Sequence, residues 1–324
     1  MEKLKQGLSH EACMSLIGFL GGTERNDASD RCLYHAMRRQ EKDEVVMEFE
    51  QDGCETFENV LTKRTCESLG KHCDEVLSNI LRKEGDEEKR GYCMRKRLLL
   101  DDIKSPNKRY SLRLSLKIPI VRKALHMIAK NMYPFLSKIL GSKALLYELS
   151  VIISDSGSRA QQFHSDTKIL GRSSEKDALL VTIFLALQDV KKDMGPTLLY
   201  PKTHTREFHE LYFGNKSTAT SQLTALESRK QTSMTLKQGA GFAMNSRLLH
   251  CGGANTSTSS RRRLLCISFL GSKGNVPHGS TASLIEEYKG RIRLCDILSK
   301  DFLLSFGDDN NMTSTTPSST DDND

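Results

Sequence analysis

A mainly β fold, a barrel or double-sheet jelly roll with helices packed outside it, is what this sequence predicts. Three observations predict it. From Ala144 to Leu270, short apolar runs are separated by Gly, Pro and polar turns. Arg109 to Lys117 alternates without error: Tyr110, Leu112, Leu114 and Leu116 face one way, and Arg109, Ser111, Arg113, Ser115 and Lys117 the other. That is the period of a half-buried strand. Helical spacing is confined to the stretch before Gly141 and to a closing segment near the C-terminus.

The elements follow in order. Met1 to about Glu58 is polar and irregular, with a loop over Thr23 to Asp30. Leu69, Cys73, Val76, Leu77 and Ile80 recur at helical spacing within Asn59 to Leu81, and Arg82 to Arg90 reads as a charged loop. After the Arg109 strand, Pro119 suits the first turn of a helix running to about Leu140 and stopping at Gly141. Strands are expected over Leu145 to Ser154, Gln161 to Thr167, Leu179 to Leu187, Thr197 to Tyr200, Thr232 to Leu236, Gly241 to Asn245 and Leu264 to Leu270. Glu286 to Leu298 reads as a closing helix. The expected organisation is a polar and helical N-terminal region over 1–108, the β domain over 109–306, and a Ser/Thr/Asp/Asn-rich disordered acidic tail over 307–324.

Composition sets bounds. The 324 residues are 37% hydrophobic and 27% charged, the profile of a globular protein, and no apolar run approaches membrane-spanning length. No secretory signal stands out, so a cytoplasmic location is expected. Nine cysteines at irregular spacing, with no CxxC pair, argue against a disulfide framework or a zinc site. The net charge of +7 is concentrated between Lys89 and Lys123, which includes Arg95-Lys96-Arg97 and Lys108-Arg109. This is a solvated basic face or a patch for an anionic partner; no nucleic-acid motif accompanies it.

The chemistry sits in Gln161-Gln162-Phe163-His164-Ser165-Asp166. A His and an Asp two apart on a strand point to the same face. With His250 from another strand they form the two-His-one-carboxylate set, which suits Fe(II) and leaves positions open for a co-substrate and oxygen. Cys251-Gly252-Gly253 leaves room beside such a metal. A dicarboxylate co-substrate such as 2-oxoglutarate needs a cation deep in the barrel, and a guanidinium is the best neutraliser. Arg261-Arg262-Arg263 offers three. Alternation puts Arg262 on the face of Leu264, Cys266 and Ser268, and Arg261 and Arg263 on the face of Leu265, Ile267 and Phe269.

These residues resemble the phytanoyl-CoA dioxygenase-like (PhyH) branch of the Fe(II)/2-oxoglutarate oxygenases over roughly Arg109 to Phe269. The resemblance is carried by Glu148 to Gly157 leading into Gln161 to Asp166, by Gly195-Pro196-Thr197 through Pro201-Lys202-Thr203-His204, and by Leu249-His250-Cys251-Gly252-Gly253-Ala254-Asn255. It implies a double-stranded β-helix core, His164, Asp166 and His250 as iron ligands, and Arg262 gripping 2-oxoglutarate. Gln161 is implied as a contact to the co-substrate or a ligand, and Asn255 as a turn-fixing amide. Ascorbate is implied as a supporting reductant. Two departures stand out. Lys202 replaces the glycine of the family's "PGSH" turn, which puts that loop's backbone in question. Gly252 replaces a hydroxyl sometimes found two after the distal His, so a second co-substrate contact must come from elsewhere, with Thr182 a candidate.

The reaction so implied is hydroxylation of a C–H bond of a small molecule, anionic or acyl-type, with O2 consumed and succinate and CO2 released. Two other classes compete: a jelly-roll binding module that does not turn over, and a hydroxylase of protein residues.

Overall fold

The computed structural model describes residues 43–89 and 108–304, apart from 172, 173, 175, 228, 279 and 281. Helix α1 (residues 43–52) leads into β1 (Cys54–Phe57) and α2 (Lys63–Lys89). Then come β2 (Arg109–Arg113), α3 (Pro119–Leu140), β3 (Leu145–Ser154) and β4 (Leu180–Ala186). A smaller group follows: β5 (Thr197–Leu199), α4 (Arg206–Phe213), α5 (Ala219–Glu227) and β6 (Thr232–Met234). The strands close with β7 (Gly241–Asn245), β8 (His250–Gly252) and β9 (Arg262–Leu270), before two short helices, α6 (Leu294–Ile297) and α7 (Lys300–Leu304).

Two antiparallel sheets result. The larger has the order β1-β7-β4-β9-β3-β2; the smaller, β6-β5-β8, gains His164 as a further antiparallel bridge to His250. Strands β4 and β9 lie in the middle of the large sheet and are covered on both faces, which is why they are mostly apolar, broken only by Thr182 in β4 and by Arg262, Arg263 and Ser268 in β9. One face carries Val181, Ile183, Leu265 and Ile267 against Leu69, Cys73 and Leu77 of α2 and Leu125, Ile128 and Leu136 of α3. The other carries Phe184, Phe242 and Leu264 toward Leu199 and Met234 of the small sheet. A fully buried side chain of this kind contributes about 1.5–3 kcal/mol.

Helix α3 starts at Pro119 and stops against Gly141, whose φ of 84° is one that an L side chain rarely adopts. Other expectations need correction. The charged stretch after Leu81 continues α2 to Lys89, because Glu, Lys and Arg are good helix formers. Part of the region read as irregular before Glu58 is helix α1 and edge strand β1, and β1 pairs with β7. One compact unit runs from Val45 onward. The closing helix over Glu286 to Leu298 is a 3-10 turn at Glu286–Tyr288 and then α6; Gly290, at φ 70°, interrupts it. Helices α4 and α5 have no counterpart in the sequence reading.

The loop containing Lys202 keeps a glycine-like backbone, with φ 64° at Lys202 itself. Its N–H donates to the Asp52 carbonyl at 2.9 Å, and its ammonium lies 3.5 Å from the Asp52 carboxylate. The six described cysteines are free thiols. Among the described residues no helix is long and apolar enough to cross a membrane. The loop over Thr23 to Asp30, the Arg95-Lys96-Arg97 run and the tail from 307 lie outside the described residues.

Candidate metal and co-substrate site

The ligand atoms of His164, Asp166 and His250 all lie within 4.8 Å of one another. The two backbones pair directly, His164 N to His250 O and His250 N to His164 O, both at 2.9 Å. The rings are therefore neighbours, with centroids 4.5 Å apart. Asp166 Oδ1 stands 3.8 Å from Nε2 of each histidine. Those spacings are too long for hydrogen bonds and leave room for a common partner of the three groups.

The imidazoles are set for that role. His164 Nδ1 is 2.8 Å from the Gln162 carbonyl, and His250 Nδ1 is 3.0 Å from the Leu248 carbonyl. A carbonyl only accepts, so each Nδ1 carries the proton and each Nε2 presents its lone pair. Burial pushes the pKa of His250 below its ordinary value, which favours the neutral ring. Two neutral nitrogens and one carboxylate oxygen are a donor set that fits Fe(II).

The triad lines a cavity of about 340 Å³ that also holds Arg262, Arg109, Gln161 and Thr182. Strand alternation resolves the arginine run. Arg261 pairs with Asp155 and, at 3.0 Å, with Asp74; Arg263 also pairs with Asp74. Both face α2, on the outside of the sheet. Arg262 faces inward and is 1% exposed. It donates to the Gly195 carbonyl and, at 3.0 Å, to Ser154 Oγ, while its Nε has no partner. Among the described residues no carboxylate pairs with it. Burial, reinforced by the nearby Arg109, pushes its pKa down to about 9. A guanidinium desolvated in this way lacks an anion, and the residues present fit a bound dicarboxylate.

Arg109 is a site residue that sequence reasoning missed. It was placed on the solvent face of its strand, but it donates to Gln161 Oε1 at 2.9 Å and to the carbonyls of Arg159 and Gly253 at 3.0 and 2.8 Å. Its Nε is buried and unpartnered. Gln161 Oε1 also accepts from Gly252 N at 2.9 Å, so this side chain ties β2 to the turn after His250. Gly252 now has a reason: a Cβ there would overlap Arg109 Nη1. Thr182, the sequence candidate for the second contact, lines the same cavity, with its hydroxyl 2.9 Å from Ser268 Oγ. Asn255 does fix its turn, donating to Ser154 O and Ser260 O at 2.9 and 2.7 Å. Replacing Gly252 by alanine is expected to dislodge Arg109 and raise the 2-oxoglutarate requirement about tenfold, roughly 1.4 kcal/mol, with Fe(II) affinity unchanged. Steady-state KM for the co-substrate beside an iron titration checks this.

His209 braces the wall behind the ligands. Its Nδ1 accepts from Ile169 N at 2.9 Å and its Nε2 donates to Arg247 O at 2.7 Å, joining α4 to the segments after Asp166 and before His250. This pattern needs the neutral ring, and burial lowers its pKa to about 4. The unfolded chain takes up that proton near 6.5, so this stabilisation is complete above pH 6.5 and is lost as pH falls toward 4. The loss amounts to ~3 kcal/mol. Urea unfolding at pH 7.5 and 4.5 should show a larger drop for the wild type than for His209→Gln.

The family model described as phytanoyl-CoA dioxygenase (PhyH) matches residues 49–263. No curated protein sequence matches. Among solved structures, AviO1 from Streptomyces viridochromogenes Tue57 is similar at 14% identity, over 73% of this chain and 97% of that one, with a TM-score of 0.52. HygX from Streptomyces hygroscopicus, solved with nickel and 2-oxoglutarate bound, is 14% identical over 74% of this chain and 88% of its own, with a TM-score of 0.51. The non-heme alpha ketoglutarate dependent carbocyclase SnoK from nogalamycin biosynthesis is 16% identical over 72% and 86%, with a TM-score of 0.50. At these identities the likeness is one of fold, a cupin-like jelly roll.

Proposed function

Because the chain belongs to the phytanoyl-CoA dioxygenase (PhyH) family, whose model covers residues 49–263, we propose that it is an Fe(II)/2-oxoglutarate-dependent oxygenase that hydroxylates a C–H bond of a small molecule. One oxygen atom of O2 goes into succinate, formed with CO2, and the other into the product hydroxyl. The observation that carries the reading is one cavity lined by both the His164–Asp166–His250 triad and the buried, acid-less Arg262.

Bound Fe(II) supplies the redox chemistry that couples decarboxylation of 2-oxoglutarate to oxidation of the substrate. The chain's own residues supply the rest. His164 and His250 offer Nε2 lone pairs, and Asp166 supplies the anionic ligand. Arg262, aided by Ser154, neutralises the distal carboxylate of the co-substrate. Arg109, held by Gln161, adds a second positive charge beside it. Ile152, Phe184 and Leu264 line the cavity with apolar surface, which excludes water and strengthens these charge interactions.

Anaerobic titration with Fe(II) and 2-oxoglutarate tests the proposal. A saturable visible charge-transfer band needing both components is the expected result. A folded protein that gives no band would overturn it in favour of a non-catalytic jelly-roll module.

A further inference from the structure

The same cavity has a second polar group, chemically opposite to the first. On β3 and β9, Ser154 pairs with Arg262 while Glu148 pairs with Ser268. The acid and the arginine thus stand six positions apart along the strands, about 20 Å at 3.3 Å per residue. Glu148 lines the cavity and keeps part of its surface open to it. Its carboxylate is cradled by hydroxyls: Ser150 Oγ donates to Oε1 at 2.8 Å and Ser268 Oγ to Oε2 at 2.9 Å. Thr182 Oγ1 lies 2.9 Å behind Ser268, which completes a chain of hydroxyls leading to the acid.

What Glu148 lacks is a cation. Its partners among the described residues are hydroxyls and the Cys266 thiol, and the nearby charge of Asp166 has the same sign. Burial raises its pKa, as expected for a carboxyl surrounded by protein without a basic partner. Arg109 and Arg262, the cations of this cavity, are committed to the other end. An anionic group entering near Glu148 would meet two acids. A neutral alcohol would gain one hydrogen bond and leave the charge unanswered. An ammonium would satisfy both the charge and the remaining lone pairs.

We infer that Glu148 determines specificity at the substrate end of the cavity, and that the small molecule accepted there carries an ammonium group that seats on the Glu148 carboxylate beside Ser150 and Ser268. The word substrate rests on the oxygenase reading; the amine site does not. The basic stretch around Lys89 to Lys123 had suggested an anionic molecule, but Arg109 within it belongs to the co-substrate end.

Calorimetry on the full chain tests this with n-hexylamine, 1-hexanol and hexanoate, on metal-free protein and again anaerobically with Fe(II) and 2-oxoglutarate. The expected result is hexylammonium binding at least tenfold tighter than hexanol in both states, with hexanoate weakest once 2-oxoglutarate occupies the Arg262 end. Glu148→Gln should erase the amine preference and keep the charge-transfer band. Equal binding of amine and alcohol to the wild type, binding of neither, or an amine preference that survives in Glu148→Gln would overturn it. A folded wild type with the amine preference but no band would support the amine site and reject the oxygenase reading.

Discussion

Replacing His164 by alanine is expected to abolish Fe(II) binding, and with it turnover, while leaving the fold intact. The two effects separate because the side chain is 41% accessible and its hydrogen bond is to the adjacent Gln162 carbonyl. Surface substitutions of that kind change stability by about 0.5 kcal/mol or less. The pairing that places the ring belongs to the backbone, His164 N and O to His250 O and N, and survives the change. Two of three protein ligands would remain. Thermal unfolding within a few degrees of wild type, together with no saturable iron binding by anaerobic titration, is the expected pair of results. Iron binding at wild-type affinity would remove His164 from the ligand set.

Arg262→Met should separate binding from stability in the opposite sense. The wild-type side chain is buried without a carboxylate partner among the described residues, and burial pushes its pKa far below the ordinary arginine value, to about 9. A base with a depressed folded pKa stabilises fully only above its unfolded value, and that stability is lost as pH falls from the strongly alkaline range to about 9. At neutral pH the fold therefore bears the whole cost, on the order of 5 kcal/mol. Methionine fills a similar volume without the charge. The metal-free variant is expected to be more stable than wild type by about 1–3 kcal/mol, as when other buried ionic groups are replaced by apolar ones. Its 2-oxoglutarate requirement should rise at least ~100-fold, about 2.7 kcal/mol, with iron affinity retained. Denaturant unfolding of the metal-free protein and co-substrate titration of the iron-loaded protein check the two halves. An unchanged requirement would overturn the assignment.

Much of the site was legible because strands encode direction. His164 and Asp166 do come together with His250, although the strand expected over Gln161 to Thr167 is only a single bridge at His164, with Asp166 in a bend. Parity does separate Arg262, which bonds Ser154 inside the sheet, from Arg261 and Arg263, which pair with Asp74, while the choice of Arg262 came from the family resemblance. The apolar run over Leu179 to Leu187 announced a buried strand, and β4 is buried along its whole length. What escaped was whatever parity does not fix. Arg109 obeys the alternation of its strand, yet a long side chain at a strand's first residue reaches past the sheet to Gly252 and Gly253. Glu148 lies next to a register shift between Leu146 and Glu148, and a bulge changes which face a side chain takes. Helices α4 and α5 are short, and what α4 contributes, the His209 bonds to Ile169 and Arg247, is announced by no local period.

Strand β1 has a practical consequence. It covers the outer edge of β7, with Cys54 opposite Met244 and Phe57 opposite Gly241. A fragment begun at residue 109, where composition alone would cut, loses that cover and bares the N–H and C=O groups of a strand buried along its whole length. It also loses Asp74, the acid that pins Arg261 and Arg263 to α2 on either side of Arg262. Such a fragment would keep every ligand and still present an open sheet edge, a template for joining another molecule. Its fate in solution would be association before chemistry, and an inactive truncation would say nothing against the metal centre.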